Sequence, residues 1–299
     1  MTWGIVAGLL AGALWGLVFV APRMTPGLSS LDLAAGRFIA YGVMSGLVLL
    51  AMPGRRRRPS MSQIGWALGL SVLGFTGYYW LLVLAIRDAG TEVPTLIIGT
   101  IPLWVMLLGK PLGLRWAALL PGLALTAAGL ALMMATTQGS LTVDAGRQPD
   151  FARGVGYAMG AMACWTAFGL LNAAWLQRHM DVSATDWANW LGLATGAGAL
   201  LLWLALGTPA RELVSHAGFA QAAVVCVATG LGSAWLATIL WNVASQRLSA
   251  SLCGQLIVSE TVFALVYSFA WDGQWPTVGQ LTACVLFTLG ILFSIKAHR

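Results

Sequence analysis

Charge is what this chain has least of. Asp, Glu, Lys and Arg make up 9% of its 299 residues, too few to cover a water-soluble fold of that length. That shortage excludes an ordinary soluble protein and, with 59% hydrophobic residues and a mean hydropathy of +0.81, points to a bilayer as the solvent. Histidine is nearly as rare, and His179, His216 and His298 fall in loops or the tail, where they do not meet. Without several His, Cys or acidic groups converging at one depth, a membrane-embedded enzyme lacks its usual acid–base or metal chemistry. The protein is therefore expected not to be an enzyme and to hold no metal. Cys164, Cys226, Cys253 and Cys284 lie inside apolar stretches without ligand spacing and read as small hydrophobes rather than metal ligands or disulfide partners. No Gly-rich loop followed by Lys-Ser or Lys-Thr occurs, so direct ATP hydrolysis is not expected, nor is any cofactor. The net charge of +6 could suggest nucleic acid, yet much of it is the run Arg55-Arg56-Arg57-Arg58, with no basic face and no aromatic–basic interleaving. An anchor on anionic lipid explains that run, and no nucleic-acid partner is expected.

What is present is apolar length. Ten stretches cover 3–20, 31–52, 64–86, 91–109, 116–136, 154–176, 187–206, 218–243, 250–270 and 277–295, each able as helix to cross roughly 30 Å of hydrocarbon. Ten crossings put both termini on one side. If that side is cytoplasmic it holds ten basic residues, Arg55 to Arg58, Lys110, Arg115, Arg178, Arg247, Lys296 and Arg299, against five outside, Arg23, Arg87, Arg147, Arg153 and Arg211. The excess favours cytoplasmic termini. The loop from Thr137 to Arg153 is the longest, and its two aspartates balance its two arginines, which suits an extracytoplasmic joint. The expected division is residues 1–139 as a first five-helix repeat, 140–153 as connector and 154–299 as a second repeat. Five crossings per half force the halves to insert in opposite directions, the usual way to build a path with two alternating gates. Traces of the repeat survive in the letters: Ala11-Gly12-Ala13-Leu14-Trp15 stands opposite Ala161-Met162-Ala163-Cys164-Trp165, Tyr79-Trp80 opposite Leu240-Trp241, and 85–104 opposite 244–263.

Aromatic, amide and hydroxyl side chains lie at depth on single helix faces. In span six Trp165, Phe168, Asn172 and Trp175 recur at helical spacing, as do Gly8, Gly12, Trp15 and Phe19 in span one. Lipid does not reward a buried amide, so Asn172 faces protein or water, either lining a solute cavity or joining helices. In span four Thr95, Gly99 and Pro102 share a face, and Pro102 lacks the N–H that would bond the Ile98 carbonyl; a hinge over Gly99 to Pro102 is expected. Span nine carries the stripe Ser251, Gln255, Ser259 and Val262, and span eight Thr238, Trp241, Asn242 and Ser245, again as lining or as helix glue. Glu260 is near the midplane and Arg37 shallower in span two, where its side chain can snorkel. Glu260 and Arg37 are candidates for proton coupling or for a structural role. Asp32 and Glu92, at outer ends, are expected to reach water. Gly122, Gly129 and Ala131 in span five could pack against another copy or inside the molecule, and monomer and homodimer both stay open.

Leu14-Trp15-Gly16, Cys164-Trp165-Thr166, Arg37 within Ala34-Ala35-Gly36-Arg37-Phe38, and Glu92-Val93-Pro94 leading into Ile101-Pro102-Leu103 resemble the EamA-type branch of the drug/metabolite transporter superfamily. Ser259-Glu260-Thr261 is similar to the second half's acidic-proline segment, with Thr261 in place of the proline, which puts a matching bend in span nine in question. Ala234-Trp235 and Trp241-Asn242-Val243-Ala244 resemble span eight of aromatic amino-acid exporters in that branch. The resemblance implies an all-α polytopic membrane protein of two inverted five-helix repeats with a central path. Carried over, the path includes Trp15, Tyr78, Thr95, Gly99, Trp165, Phe168, Asn172, Trp241 and Gln255. The implied partners are the lipid bilayer and a small-molecule substrate, a neutral or aromatic amino acid or an amphipathic metabolite, exported across a bacterial inner membrane. Export of drugs or other metabolites by the same fold is the alternative, and a non-transporting sensor or scaffold a further one.

Overall fold

The computed structural model describes residues 1–51, 59–137, 150–273 and 275–298. The arginine run at 55–58, Arg147 and most of the expected connector lie outside these residues. All regular structure among the described residues is helical. Among the described residues nine segments are long and apolar enough to cross a membrane: α1 over Thr2–Met24, α2 over Ser30–Ala51, α3 over Met61–Ala89, α5 over Trp116–Ala135, α6 over Phe151–Arg178, α7 over Ala184–Leu206, α8 over Phe219–Arg247, α9 over Ala250–Asp272 and α10 over Val278–Ala297. Between α3 and α5, the expected fourth span is α4, split into Glu92–Gly99 and Ile101–Leu108.

Local chemistry sets several of these ends. Ser60 and Gln63 close a reciprocal capping box at the start of α3, and Thr277 and Gln280 do the same for α10. Ser183 and Ser249 accept from the N–H groups of Asp186 and Leu252 to begin α7 and α9. Gly273, at φ 64°, ends α9 in the left-handed conformation that glycine adopts without penalty.

Small residues let the helices approach closely, the packing expected where lipid removes the hydrophobic drive between helices. Gly42 on α2 and Gly196 on α7 are so close that a Cβ on either would come within 2.7 Å of the other's Cα. Gly122 on α5 packs against Gly290 and Ser294, and Gly129 against the Phe287 ring, all on α10. Internal packing therefore consumes two of the three small residues considered for a second copy, while Ala131 is exposed.

The principal pairings are α2 with α7 and α8, α7 with α3, α5 with α10, α4 with α9, α1 with α8 and α9, and α6 with α3 and α4. Exchanging each helix for the one five places along the chain leaves this set unchanged, as the fold class with two five-helix repeats requires. The exchange also matches an irregularity. Helix α3 contains a π-helical stretch at Val72–Thr76 and α8 one at Gly230–Leu236. The starts of these stretches, and both ends of the two helices, are 158 residues apart. On that register Tyr79-Trp80 sits three residues away from the position opposite Leu240-Trp241, a correction of nearly one helical turn to the pairing read from letters.

Candidate solute path

Helix α4 shapes the centre of the molecule. Thr100, with φ −82° and ψ −8°, ends one piece and begins the next, and Pro102 follows in the first turn of the second. The second piece lies along the first half of α9, where the Ser251 N–H donates to the Gly109 carbonyl at 3.1 Å and Gly254 packs on the backbone of Met106. The first piece packs instead on α6 and α3. Helices α4 and α9 thus meet at one end and part toward the other. Burial along α9 follows this divergence: residues 251–259 are all buried, whereas Glu260 to Phe263 are half-buried. Helix α9 is continuous from Ala250 to Asp272, with no break at Thr261.

Three tryptophans converge beside this opening. Trp15 on α1 lies 5.2 Å from Trp241 and 6.4 Å from Trp165 between ring centroids, and Trp165 lies 6.4 Å from Trp241. Rings at such spacing contribute about 1 kcal/mol per pair beyond their burial. Trp241 is 1% exposed and its indole Nε1 is buried without a hydrogen-bond partner, while Trp15 and Trp165 keep part of their surface accessible. Tyr78 packs against the buried core to which Trp241 belongs, and Trp165 continues to Phe168 at 5.9 Å. From Phe168 the aromatic contacts run to Phe75 at 5.4 Å, on to Phe38 at 5.7 Å and to Tyr79 at 6.3 Å.

The polar side chains are placed differently. Asn172 is fully buried; its Oδ1 accepts from Trp187 Nε1 at 2.8 Å and its Nδ2 donates to Asn242 Oδ1 at 3.1 Å, tying α6 to α7 and α8. Gln255 is buried among α5, α9 and α10, where Nε2 donates to Thr126 Oγ1 at 2.8 Å and Ser294 Oγ donates to its Oε1 at 3.0 Å. Ser259 lies against Gly12 and donates to the Leu256 carbonyl at 2.7 Å. The hydrogen bonds of Asn172 and Gln255 join helices, whereas that of Ser259 stays within its own helix. Thr95 is exposed, and its hydroxyl donates to the Thr91 carbonyl at 2.6 Å within its own helix. Gly99 has free space around it, with only Leu130 Cδ2 near enough to meet a Cβ, at 3.9 Å. On α1, Gly8 and Gly12 pack on α9, whereas Phe19 is 54% exposed. Trp175 stacks on Trp187 at 3.6 Å and faces α7.

One expectation is corrected outright. Asp32 does not reach water: it is 6% exposed and accepts hydrogen bonds from Ser29 Oγ, Trp203 Nε1 and the N–H and hydroxyl of Thr208. The carboxylate pins the start of α2 to the end of α7, which a single helix's periodicity does not reveal. Phe75 and Phe38, absent from the sequence-derived set, extend the aromatic wall. Phe75 stands next to Gly74, whose missing side chain makes room for the Phe168 ring; a glycine–aromatic pair in mid-span was the available signal.

A helical bundle of apolar crossing segments, split at one helix beside an aromatic centre, is the build of a membrane transporter, and residues 2–136 match the EamA-like transporter family. The chain belongs to that family. It is 31% identical over 318 residues to the inner membrane protein YtfF of Escherichia coli (strain K12), covering 98% of this chain and 95% of that one. A solved crystal structure of another protein shares the fold with a TM-score of 0.78 at 20% identity, over 98% of both chains.

Proposed function

We propose that this transporter is a multi-pass protein of the bacterial inner membrane that exports neutral, chiefly aromatic, amino acids by alternating access. The observation that carries the substrate reading is the convergence of Trp15, Trp165 and Trp241 beside the α4–α9 opening. An aromatic side chain stacks well on such rings, and a zwitterionic backbone needs donors and acceptors but no net protein charge. The likeness to YtfF, an inner membrane protein, supports the location.

In this reading the termini are cytoplasmic, residues 1–139 and 154–299 form the oppositely inserted repeats, and 140–153 joins them outside. One five-helix unit rocks against the other about the midplane, with bending at Gly99 to Pro102. The Gly109–Ser251 contact then closes the cytoplasmic end. Thr95, Gly99, Asn172 and Gln255 join the path in other states of the cycle. Glu260, within electrostatic reach of Tyr78, favours a second reading, export of cationic amphipathic drugs. Purified protein in proteoliposomes separates the two. Labelled phenylalanine or tryptophan should cross, with flux reduced by unlabelled methionine and threonine but not by purines or quaternary amines. Insensitivity to every amino acid sinks the amino-acid reading, and inhibition by quaternary amines alone favours the second.

A further inference from the structure

Two charged side chains stand within the spans of this apolar molecule without an ion-pair partner among the described residues. Among the described residues, neither Arg37 nor Glu260 has an opposite charge within 4 Å, and Arg37 Nε is buried without a hydrogen bond. The Arg37 guanidinium lies 4.6 Å from the centre of the Phe38 ring. Each charge would cost several kcal/mol at that depth if left uncompensated.

A chain of direct contacts sets the two at one level. Gly230 on α8 is packed so closely on α2 that a Cβ there would come within 2.7 Å of the Arg37 carbonyl. Three residues on, Ser233 Oγ donates to the Leu14 carbonyl of α1 at 2.5 Å. On α1, a Cβ at Gly12 would lie 3.1 Å from the Glu260 N, and one at Gly16 3.2 Å from the Glu260 carbonyl. Trp15 belongs to that same turn of α1. Arg37 and Glu260 lie within electrostatic reach of each other and of Tyr78. Helix α2 packs chiefly on α7 and α8, and α9 on α1 and α4, so the two charges are carried by helices that do not pack extensively on each other. Both are half-buried.

Resting on the amino-acid reading above, we propose that Arg37 and Glu260 are the two poles of the solute site, the guanidinium taking the solute's carboxylate and the Glu260 carboxylate its ammonium, with the side chain against Trp15, Trp165 and Trp241. Each contact is a charge-assisted hydrogen bond in a setting that strengthens it. The poles sum to zero and so does a zwitterion, so loading adds no net charge to the site. An amine alone leaves Arg37 unmatched, and a carboxylic acid alone leaves Glu260 unmatched. The class selected is the amphoteric solute.

Displacement of tritiated phenylalanine from the purified protein in lipid nanodiscs tests this, with unlabelled phenylalanine, phenethylamine and 3-phenylpropionate as competitors. Wild-type protein should prefer phenylalanine over either analogue by about tenfold or more, the loss of one charged hydrogen bond. Arg37→Gln should erase the preference over phenethylamine and keep that over 3-phenylpropionate, with Arg37→Lys restoring part of what was lost. Glu260→Gln should do the converse. Each ratio is internal to one preparation, so a partly misfolded variant still reports. Wild-type protein that binds phenylalanine without preferring it, or variants that keep wild-type ratios, overturn the poles and leave amino-acid transport standing. No binding of phenylalanine by wild-type protein overturns both.

Discussion

An amide deep in a bilayer must find partners, and Asn172 finds two side chains on two different helices. Trp187 donates to its oxygen and Asn242 accepts from its nitrogen, while Asn242 in turn donates to the Ala184 carbonyl at 3.3 Å. Asn172→Ala leaves the Trp187 indole N–H without its acceptor and should lower stability by about 1–3 kcal/mol, read as a lower thermal midpoint in detergent. If Asn172 served the solute alone, transport would fall with the midpoint unchanged. The sequence placed this residue on a helix face at the right depth, since periodicity reports direction. It left the partner open, because Trp187 and Asn242 are brought to it by packing between helices whose relative rotation no single-helix pattern contains. Asp32 failed for the same reason: its neighbours Trp203 and Thr208 are more than 170 residues away in the chain.

At the scale of the helix, α4 and α3 show what is legible and what is not. The break in α4 follows from Gly99 and Pro102, whose effects are local to the backbone that carries them. The π-helical turns of α3 and α8 have no such mark. Each is held by close approach, Gly74 beneath Phe168 and Gly230 against Ala40 and the Arg37 carbonyl, so its cause lies in the neighbouring helix. Helix α9 runs without a break through Thr261, where the α4 counterpart is split. The split is therefore confined to one member of the α4–α9 pair. Gly99→Ala should fit sterically, since the added methyl meets only Leu130 at 3.9 Å. Its effect is on flexibility: stiffening a helix at glycine is worth ~1 kcal/mol, about fivefold in a rate. Proteoliposome exchange should slow by about that factor while equilibrium binding of labelled phenylalanine holds. Equal loss of both would make Gly99 a packing residue.

For the molecule as a whole, the exchange symmetry of the helix pairs fits two halves of five helices, and the direction of insertion is a separate question on which the loop charges bear. Cytoplasmic termini put Arg178 and Lys296 on one face and Arg211 on the other. Helix α7, with 23 residues, is roughly 35 Å long at 1.5 Å per residue, enough to carry the chain from Arg178 to the far side. All three positions are exposed, so each can bear a reporter cysteine once Cys164, Cys226, Cys253 and Cys284 are replaced. A membrane-impermeant maleimide applied to intact cells should label cysteine at 211 and spare 178 and 296, and inside-out vesicles should give the reverse. Labelling of 178 and 211 from the same side would mean that α7 does not cross, which removes the odd helix count and with it the opposite insertion of the halves. The result carries further, because the Gly109–Ser251 contact that shuts the α4–α9 crossing is at the end where α8 meets α9, the face of Arg178 and Lys296. If that face is cytoplasmic, the opening beside Glu260 looks outward, and cysteine at Val262 should react with the impermeant reagent from outside in this state and lose that reactivity when the outer end closes.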